Sequence, residues 1–180
     1  IGNKNRGSQG HTMERLRDVE IPTENRTLGN ILCHKAEKNG ERIFLRFLDR
    51  SYSYKAFHEI SNRLAHSLAD LGIEKGQHVA FMMDNKPELL LLYFALAKIG
   101  AVSVPVNTAA KGELLAYYLT QSDCTALIAD SGLVERFVIA QDQCTINKVI
   151  VVDDGRPLAN EIKSSISTGI IEYNSLLGGS

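Results

Sequence analysis

The chain has 180 residues, of which 44% are hydrophobic and 23% are charged, as is typical of one soluble globular domain with a substantial core. This composition excludes a disordered or collagen-like chain, and three cysteines are too few for a disulfide scaffold. Twenty Lys and Arg residues against 21 Asp and Glu residues give a net charge of −1, which predicts no binding to nucleic acid and no polybasic membrane patch.

The two ends of the chain differ in character from the middle. Residues 1–12 are polar and glycine-rich and precede the first methionine, so we interpret them as an expression tag or a flexible arm. We expect residues 13–180 to form the domain itself. Residues 176–180 resemble the first turn of a helix, which favours a truncated chain.

The cysteines and the apolar runs bear on the compartment. Cys33, Cys124 and Cys144 lack the spacing of a metal site, so we expect reduced, mostly buried thiols. The longest apolar run, Leu89–Ala97, has nine residues and is too short to cross a membrane, so it predicts a buried helix. Since no signal peptide is visible, we expect a cytoplasmic protein.

The first predicted elements are a helix and two strands. Apolar residues at helical spacing begin at Leu28, and Gly40 is a suitable helix end. Residues 42–48 then have the period of a strand, whose predicted inner face is Ile43, Leu45 and Phe47. Asp49-Arg50 turns the chain into a short strand over Ser51–Ser53.

A second helix begins after Ser53, which is a favourable N-cap residue. Gly72 takes the position that follows the last helical turn. This is the clearest amphipathic pattern in the chain, with apolar residues every three or four positions at Phe57, Ile60, Leu64, Leu68 and Leu71.

Strands and helices then alternate. Asp84 or Asn85 is the predicted cap of a helix that ends at Gly100, a glycine that we expect to face the sheet. Residues 153–168 are polar and weakly patterned. The alternation predicts an α/β fold, a doubly wound and mostly parallel sheet with helices on both faces. The predicted strands are His78–Met83, Ala101–Val106, Thr125–Ala129 and Lys148–Val152, and the helices between and after them are 87–99, Glu113–Gln121 and Leu133–Gln141.

Three loops follow predicted strands at the edge of the sheet where ligands usually bind: Asp84-Asn85-Lys86, Asn107–Lys111 and Asp130-Ser131-Gly132. None has the glycine spacing of a nucleotide-binding loop. The amides of Asp130-Ser131-Gly132 are suited to an anion, but a helix cap with a turn glycine is the favoured interpretation.

Other candidate groups have ordinary structural interpretations. Ser167-Thr168-Gly169 resembles part of a phosphate-binding loop, but no lysine follows, so we interpret it as surface loop. We interpret His58 and His66 as a solvated helix flank, and Asp153-Asp154 as a solvated turn in preference to a cation site. We therefore assign no catalytic, cofactor-binding or metal-binding residue from the sequence.

Three segments, in order and correctly spaced, resemble the N-terminal part of the adenylate-forming enzymes, which include acyl-CoA synthetases, peptide-synthetase adenylation domains and luciferases. Ser51–Phe57 resembles the first core motif, (S/T)YxEL, with Ala56-Phe57 in place of Glu-Leu. Residues 62–80 are similar to NxLAxxLxxLGxxKGDxVA, with Gln77 at the Asp position. Residues 96–107, LAKIGAVSVPVN, look like the second core motif in its acyl-CoA ligase form.

The resemblance implies an acyl-CoA synthetase that uses ATP, Mg²⁺ and CoA to activate a carboxylic acid, such as a fatty acid or carnitine/crotonobetaine. The family's phosphate loop, its acid for Mg²⁺ and its mobile lysine have no counterpart in these residues. We therefore expect this chain alone to be inactive, to pack against the remainder of its own chain, and to self-associate when that remainder is missing.

Two alternatives stay open. One is an adenylation domain for an aryl or amino acid. The other is a free-standing α/β binding or interaction module without ATP chemistry. The sequence that follows residue 180 would distinguish among the three.

Overall fold

The computed structural model describes residues 21–178, so the predicted tag or arm at residues 1–12 and the last two residues of the chain lie outside the described residues. Within 21–178 the helices are α1 Leu28–Asn39, α2 Tyr54–Asp70, α3 Pro87–Ile99, α4 Gly112–Gln121, α5 Val134–Ala140 and α6 Asn160–Ser165. The strands are β1 Ile43–Phe47, β2 Arg50–Ser53, β3 His78–Met82, β4 Val102–Pro105, β5 Cys124–Asp130, β6 Lys148–Val152 and β7 Ile171–Glu172.

Five strands form one parallel sheet in the order β4-β3-β5-β6-β7. β1 and β2 form a separate antiparallel hairpin. Pro105 lacks an amide hydrogen and is the last residue of β4, which is an edge strand where that loss is tolerated.

The alternation of side chains along β3 supplies two cores on opposite faces of the sheet. Val79 and Phe81 belong to the core under α1, α2 and α3, whereas Ala80 and Met82 belong to the core under α4 and α5. Helices therefore cover both faces, and the predicted fold class is confirmed.

Local signals place most helix ends as predicted. Ser53 Oγ accepts a hydrogen bond from the Ala56 amide at 3.2 Å, so Ser53 caps α2. Gly72 and Gly100 follow α2 and α3 with φ values of +77° and +74°. α3 has its predicted place in the core, with Leu92 fully buried. None of the helices within residues 21–178 combines the length and the apolar character that crossing a membrane requires.

Two predictions around α3 are wrong. Its N-cap is Lys86 and not Asp84 or Asn85, and the Lys86 side chain makes no capping hydrogen bond. The Asp84 amide, two positions earlier, donates to the carboxylate of Asp130 on a neighbouring strand. Gly100 does not face the sheet: a Cβ at Gly100 would lie 3.0 Å from Cγ of Lys75.

The predicted inner face of β1 is also wrong at one end. A register shift between Ile43 and Leu45 breaks the simple alternation, leaving Ile43 43% exposed. Phe44 turns inward instead, and its ring lies 4.8 Å from that of Phe57 and 5.9 Å from that of Phe94.

The weakly patterned segment after β6 holds a helix, α6, that the sequence does not predict. α6 has six residues, none of them buried, and only Ile162 packs against the core. The chain then forms the two-residue strand β7 and a 3₁₀ helix over Tyr173–Leu177, whose Tyr173 and Leu176 are buried. Both elements are too short to have a readable period.

The three cysteines are free thiols. Cys124 is fully buried, while Cys33 and Cys144 are half-buried. Burial raises the pKa of Cys124 to about 11, since it penalises the thiolate. The prediction of reduced, mostly buried thiols is consistent with this arrangement.

Candidate functional site

The carboxyl ends of β3, β5 and β6 lie side by side, because these strands are parallel neighbours in the sheet. Two of the three predicted loops, Asp84-Asn85-Lys86 and Asp130-Ser131-Gly132, meet there. The segment Asp153–Arg156, which follows β6, joins them. The third loop, Asn107–Lys111, does not line this place. In that loop Asn107 Oδ1 accepts from the Ala109 amide at 2.8 Å, and the Thr108 carbonyl oxygen accepts from Arg136 on α5.

Asp130 is the central residue of this edge and is fully buried. Its Oδ2 accepts from the Asp84 amide at 2.8 Å, and its Oδ1 lies 2.5 Å from Nζ of Lys86. Lys86 is only 13% exposed in its side chain. A buried carboxylate is costly unless it is paired, so this ion pair fixes the loop after β3 onto the end of β5.

Ser131 and Gly132 connect β5 to the loop after β6. Ser131 Oγ lies 2.8 Å from both Asp154 Oδ1 and the Arg156 carbonyl oxygen, and the Gly132 amide donates to Asp154 Oδ2 at 3.4 Å. A Cβ at Gly132 would collide with the Arg156 guanidinium. The Gly132 amide thus already faces a carboxylate of the chain itself, which disfavours an external anion.

The favoured interpretation of Asp130-Ser131-Gly132 as a helix cap with a turn glycine is confirmed in position only. Asp130 is the N-cap residue of the 3₁₀ helix Ser131–Leu133, but its side chain makes no capping hydrogen bond. Gly132 has no positive φ. It is small because the side chain of Arg156 packs on it.

Asp154 is an ion-pair partner rather than a solvated turn residue. Arg156 donates from Nε to Asp154 Oδ2 at 2.7 Å. Burial by itself raises the pKa of Asp154, but the hydrogen bonds from Arg156 and Ser131 outweigh it, so the pKa is well below its usual range. Asp153 is exposed, as predicted, and accepts from the Gly155 amide.

A third ion pair closes the site from the hairpin. Arg50 donates two hydrogen bonds to Glu88, at 2.6 and 3.2 Å. Burial raises the pKa of Glu88, but the bonds from Arg50 lower it further than burial raises it. Together these side chains enclose an open groove of about 520 Å³, here called the edge groove, lined by Phe47, Arg50, Asp84, Lys86, Glu88, Asp130, Asp153, Asp154 and Arg156.

An apolar pocket of about 230 Å³ adjoins the edge groove and shares Phe47 and Lys86 with it. Pro87 and Tyr93, on α3, form part of its wall. Its lining is almost wholly apolar, in contrast to the edge groove.

The chemistry of the edge groove is that of a self-paired charge network. Each lining cation has its own carboxylate: Glu88 for Arg50, Asp130 for Lys86 and Asp154 for Arg156. Within residues 21–178 there is no group of three or more His, Cys, Asp or Glu side chains arranged to hold a metal ion. The network fixes three loops, and the two remaining carboxylates of the lining, Asp84 and Asp153, are exposed to solvent.

The remaining candidates lie elsewhere. Ser167-Thr168-Gly169 is exposed surface loop, as predicted, and the Ser167 amide donates to Gln141. His66 is exposed, also as predicted. His58, however, is half-buried and hydrogen-bonded to Asn62, so its interpretation as a solvated flank is wrong.

Sequence reasoning missed Arg50, Glu88 and Arg156 as members of the site. Arg50 and Glu88 are 38 positions apart, a separation at which no local pattern pairs them. The only sequence signal was the cluster of charges directly after each strand.

Comparison with known proteins decides the family. The model of the AMP-binding enzyme family matches residues 32–169, more than three-quarters of the chain. The chain belongs to the AMP-binding enzyme family. It is 35% identical over 127 residues to the crotonobetaine/carnitine–CoA ligase of Salmonella agona, an alignment that covers 66% of this chain and 25% of that protein.

Other likenesses agree with this membership. The chain is 31% identical over 152 residues to the medium/long-chain-fatty-acid–CoA ligase FadD6 of Mycobacterium tuberculosis, covering 80% of this chain and 26% of that one. The crystal structure of the anthranilate CoA ligase AuaEII with anthranoyl-AMP superimposes with a TM-score of 0.72 at 18% identity, over 84% of this chain and 28% of that one. The chain thus spans about a quarter of the length of the curated relatives it matches.

Proposed function

We propose that the protein is an AMP-forming acyl-CoA ligase and that residues 13–180 form an N-terminal part of it. The curated relatives described above are CoA ligases, and the chain spans about a quarter of each. Their remaining length is enough for the phosphate loop, the magnesium ligand and the mobile lysine that the chain does not contain.

The proposed reaction joins a carboxylic acid to CoA in two steps. The acid attacks the α-phosphate of ATP, pyrophosphate leaves, and an acyl-adenylate forms; the CoA thiol then takes the acyl group and AMP leaves. We propose a fatty acid as the substrate. Support comes from the acyl-CoA ligase form of residues 96–107 and from the FadD6 alignment, which covers 80% of the chain.

The edge groove does not fit Mg²⁺ or a triphosphate. Glu88, Asp130 and Asp154 are each engaged by a cation of the chain, which leaves only the exposed carboxylates Asp84 and Asp153, and within residues 21–178 no three His, Cys, Asp or Glu side chains are arranged to hold a metal ion. We therefore propose that ATP, Mg²⁺ and CoA are held by residues outside this chain, and that the chain alone is inactive.

The observation that carries the proposal is that the family motifs fold into one continuous unit, β2-α2-β3-α3-β4. Gly72 and Gly100 are the glycines of positive φ that follow its two helices. Asn107 shapes the turn after β4, and Glu88, in the first turn of α3, ties that helix to the hairpin. The motif residues therefore have structural roles, and the chain supplies a scaffold.

The apolar surface supports a missing remainder of the chain as the partner. On α4 and α5, Leu114, Tyr117 and Ile139 are 51%, 58% and 66% exposed. Exposed apolar side chains that cluster mark interaction surfaces. We propose that the rest of a longer ligase covers this face, and that the isolated chain self-associates through it.

The experiment assays the longer protein with each acid of a panel and measures pyrophosphate release and acyl-CoA formation. The panel holds fatty acids, crotonobetaine, carnitine, aryl acids and amino acids. Acyl-CoA formation from fatty acids supports the proposal. Turnover of only aryl or amino acids would move the assignment to that class of adenylating enzyme, and silence on every acid would favour a binding module.

A further inference from the structure

A second groove, here called the helix groove, lies between α1, α2 and α3, away from the strand ends. It is open and encloses about 600 Å³. Its polar lining comes from all three helices and from the loop after α2. The residues that matter here are Asn30, Cys33, His58, Asn62, Lys75 and Lys98.

Lys98 is the half-buried cation of this groove, and it is held by neutral oxygens. Its Nζ donates to Ser61 Oγ at 2.6 Å, to Asn62 Oδ1 at 2.7 Å and to the His58 carbonyl oxygen at 3.2 Å. Within residues 21–178 it forms no ion pair with a carboxylate. Lys86, in the edge groove, has Asp130 as a direct counterion.

Burial without a counterion lowers the pKa of Lys98 to about 8. At pH 7.5 roughly a quarter of such an amine is neutral, against about 0.1% of an ordinary lysine. A neutral amine carries the lone pair that attacks a carbonyl carbon. It also has only two N–H bonds for three acceptors, so one acceptor must be released.

The other ionisable groups around the helix groove do not form a stable acyl product. Burial, and then the charge of Glu37 on α1, raise the pKa of Cys33, which favours its protonated thiol. Burial and the charge of Lys98 lower the pKa of His58, which favours the neutral imidazole, but an acylimidazole passes its acyl group on to water or an amine. Lys75 is exposed at the rim and serves as an internal reference.

We propose that Lys98 is a covalent modification site whose Nζ accepts the acyl group of an acyl thioester. The Nζ–carbonyl bond forms and the carbon–sulfur bond breaks. The bonding electron pair leaves with sulfur, and the proton lost from nitrogen ends on the released thiol, so an amide and a thiol are the products. The open groove has room for the acyl group.

The modification has a structural consequence. An acylated Nζ keeps one N–H and no charge, so two of the three oxygens on α2 lose their donor. Since Lys98 joins α3 to α2 through these bonds, acylation loosens that contact. The proposal does not depend on the proposed function, because the thioester can come from any source.

The experiment labels the protein at pH 7.5 with the acetyl thioester of N-acetylcysteamine, without ATP. Hydroxylamine then removes acetyl groups from thiols, and mass spectrometry of the digested protein gives the acetylation rate of each lysine. The larger neutral fraction of Lys98 raises its expected acetylation rate about 200-fold over that of an ordinary lysine. A less basic amine is also a weaker nucleophile, so we expect Lys98 to be acetylated about ten-fold faster than Lys75. The Lys98 rate should level off above about pH 8.

Lys98→Arg is the matched variant, with folding checked by circular dichroism. It should abolish the fast product and leave the Lys75 rate unchanged. If this variant does not fold, the site-resolved rates in the unaltered protein decide. Acetylation of Lys98 at or below the Lys75 rate across pH 7–9 would overturn the proposal, whether or not the longer protein makes acyl-CoA.

Discussion

The two grooves of the molecule hold lysines in opposite electrostatic states. In the edge groove Lys86 lies 2.5 Å from the buried Asp130 carboxylate, which is its direct counterion. In the helix groove Lys98 is bonded only to neutral oxygens among the described residues, and its pKa falls to about 8. Lys86, with its counterion, holds two loops together, whereas Lys98, without one, is the lysine that we propose to react with acyl thioesters.

The largest expected effect comes from breaking the pair in the edge groove. Asp130→Ala removes the counterion of Lys86 and the acceptor of the Asp84 amide, leaving a buried charge unpaired. The free energy of unfolding should fall by about 3–5 kcal/mol, measured by urea denaturation. Asp153→Ala, at the exposed neighbour, is the control and should change it by about 0.5 kcal/mol or less. Equal losses of unfolding free energy in the two variants would contradict a stabilising role for the Lys86–Asp130 pair.

Gly100, which lines the helix groove, allows a test of where α3 ends. Gly100 has φ +74°, so Gly100→Val should lower the free energy of unfolding by about 1–3 kcal/mol through backbone strain. Gly100→Asn is the comparison, because asparagine tolerates this conformation and should cost less. A thermal midpoint unchanged in the valine variant would mean that the helix end is misplaced.

Gly132 in the edge groove is needed for a different reason, which is space. Gly132→Ala pushes on the Arg156 side chain, whose far end can move but only by giving up Asp154. A loss of about 1 kcal/mol in unfolding free energy is expected. Arg156→Ala in the same chain should remove most of the additional cost of the alanine. A double-mutant cycle without coupling would contradict the packing described.

The pH dependence of stability tests the lowered pKa of Lys98. The pKa of Lys98 is lowered in the folded protein, so the unfolded chain binds more protons between about pH 8 and 10.5, and stability should rise with pH over that window. Lys98→Met removes this dependence. The difference in unfolding free energy between the unaltered chain and the variant should therefore change by about 1 kcal/mol from about pH 8 to about pH 10.5, after allowance for solvent screening. Parallel curves over the window would contradict the unpaired state of Lys98.

The sequence predicts much of the fold because its signals are local. The helical spacing from Phe57 to Leu71 and the glycines after α2 and α3 are read within one element. The errors come from contacts between elements. The N-cap position of α3 falls at Lys86, and the Asp84 amide before it donates to Asp130, 46 positions away in the sequence. Gly132 is small because of Arg156, and no period in the sequence reports that packing.

The sequence predicts where the candidate site lies but not which of its charges pair. Parallel strands bring their carboxyl ends together, so the loops after β3 and β5 were expected at one edge. Which charges pair there depends on side-chain reach across loops. The Arg50–Glu88 pair joins the hairpin to α3 and has no local signature.

Pyrophosphate exchange into ATP by the purified 180-residue chain tests most directly the proposal that this chain supplies a scaffold and no adenylation chemistry. With every cation of the edge groove paired to a carboxylate, we expect no exchange above background with any acid in the panel. Losing one preorganised donor typically costs a factor of about 10²–10³ in rate, and here the whole set is missing. Exchange above background that depends on the presence of an acid would contradict that proposal.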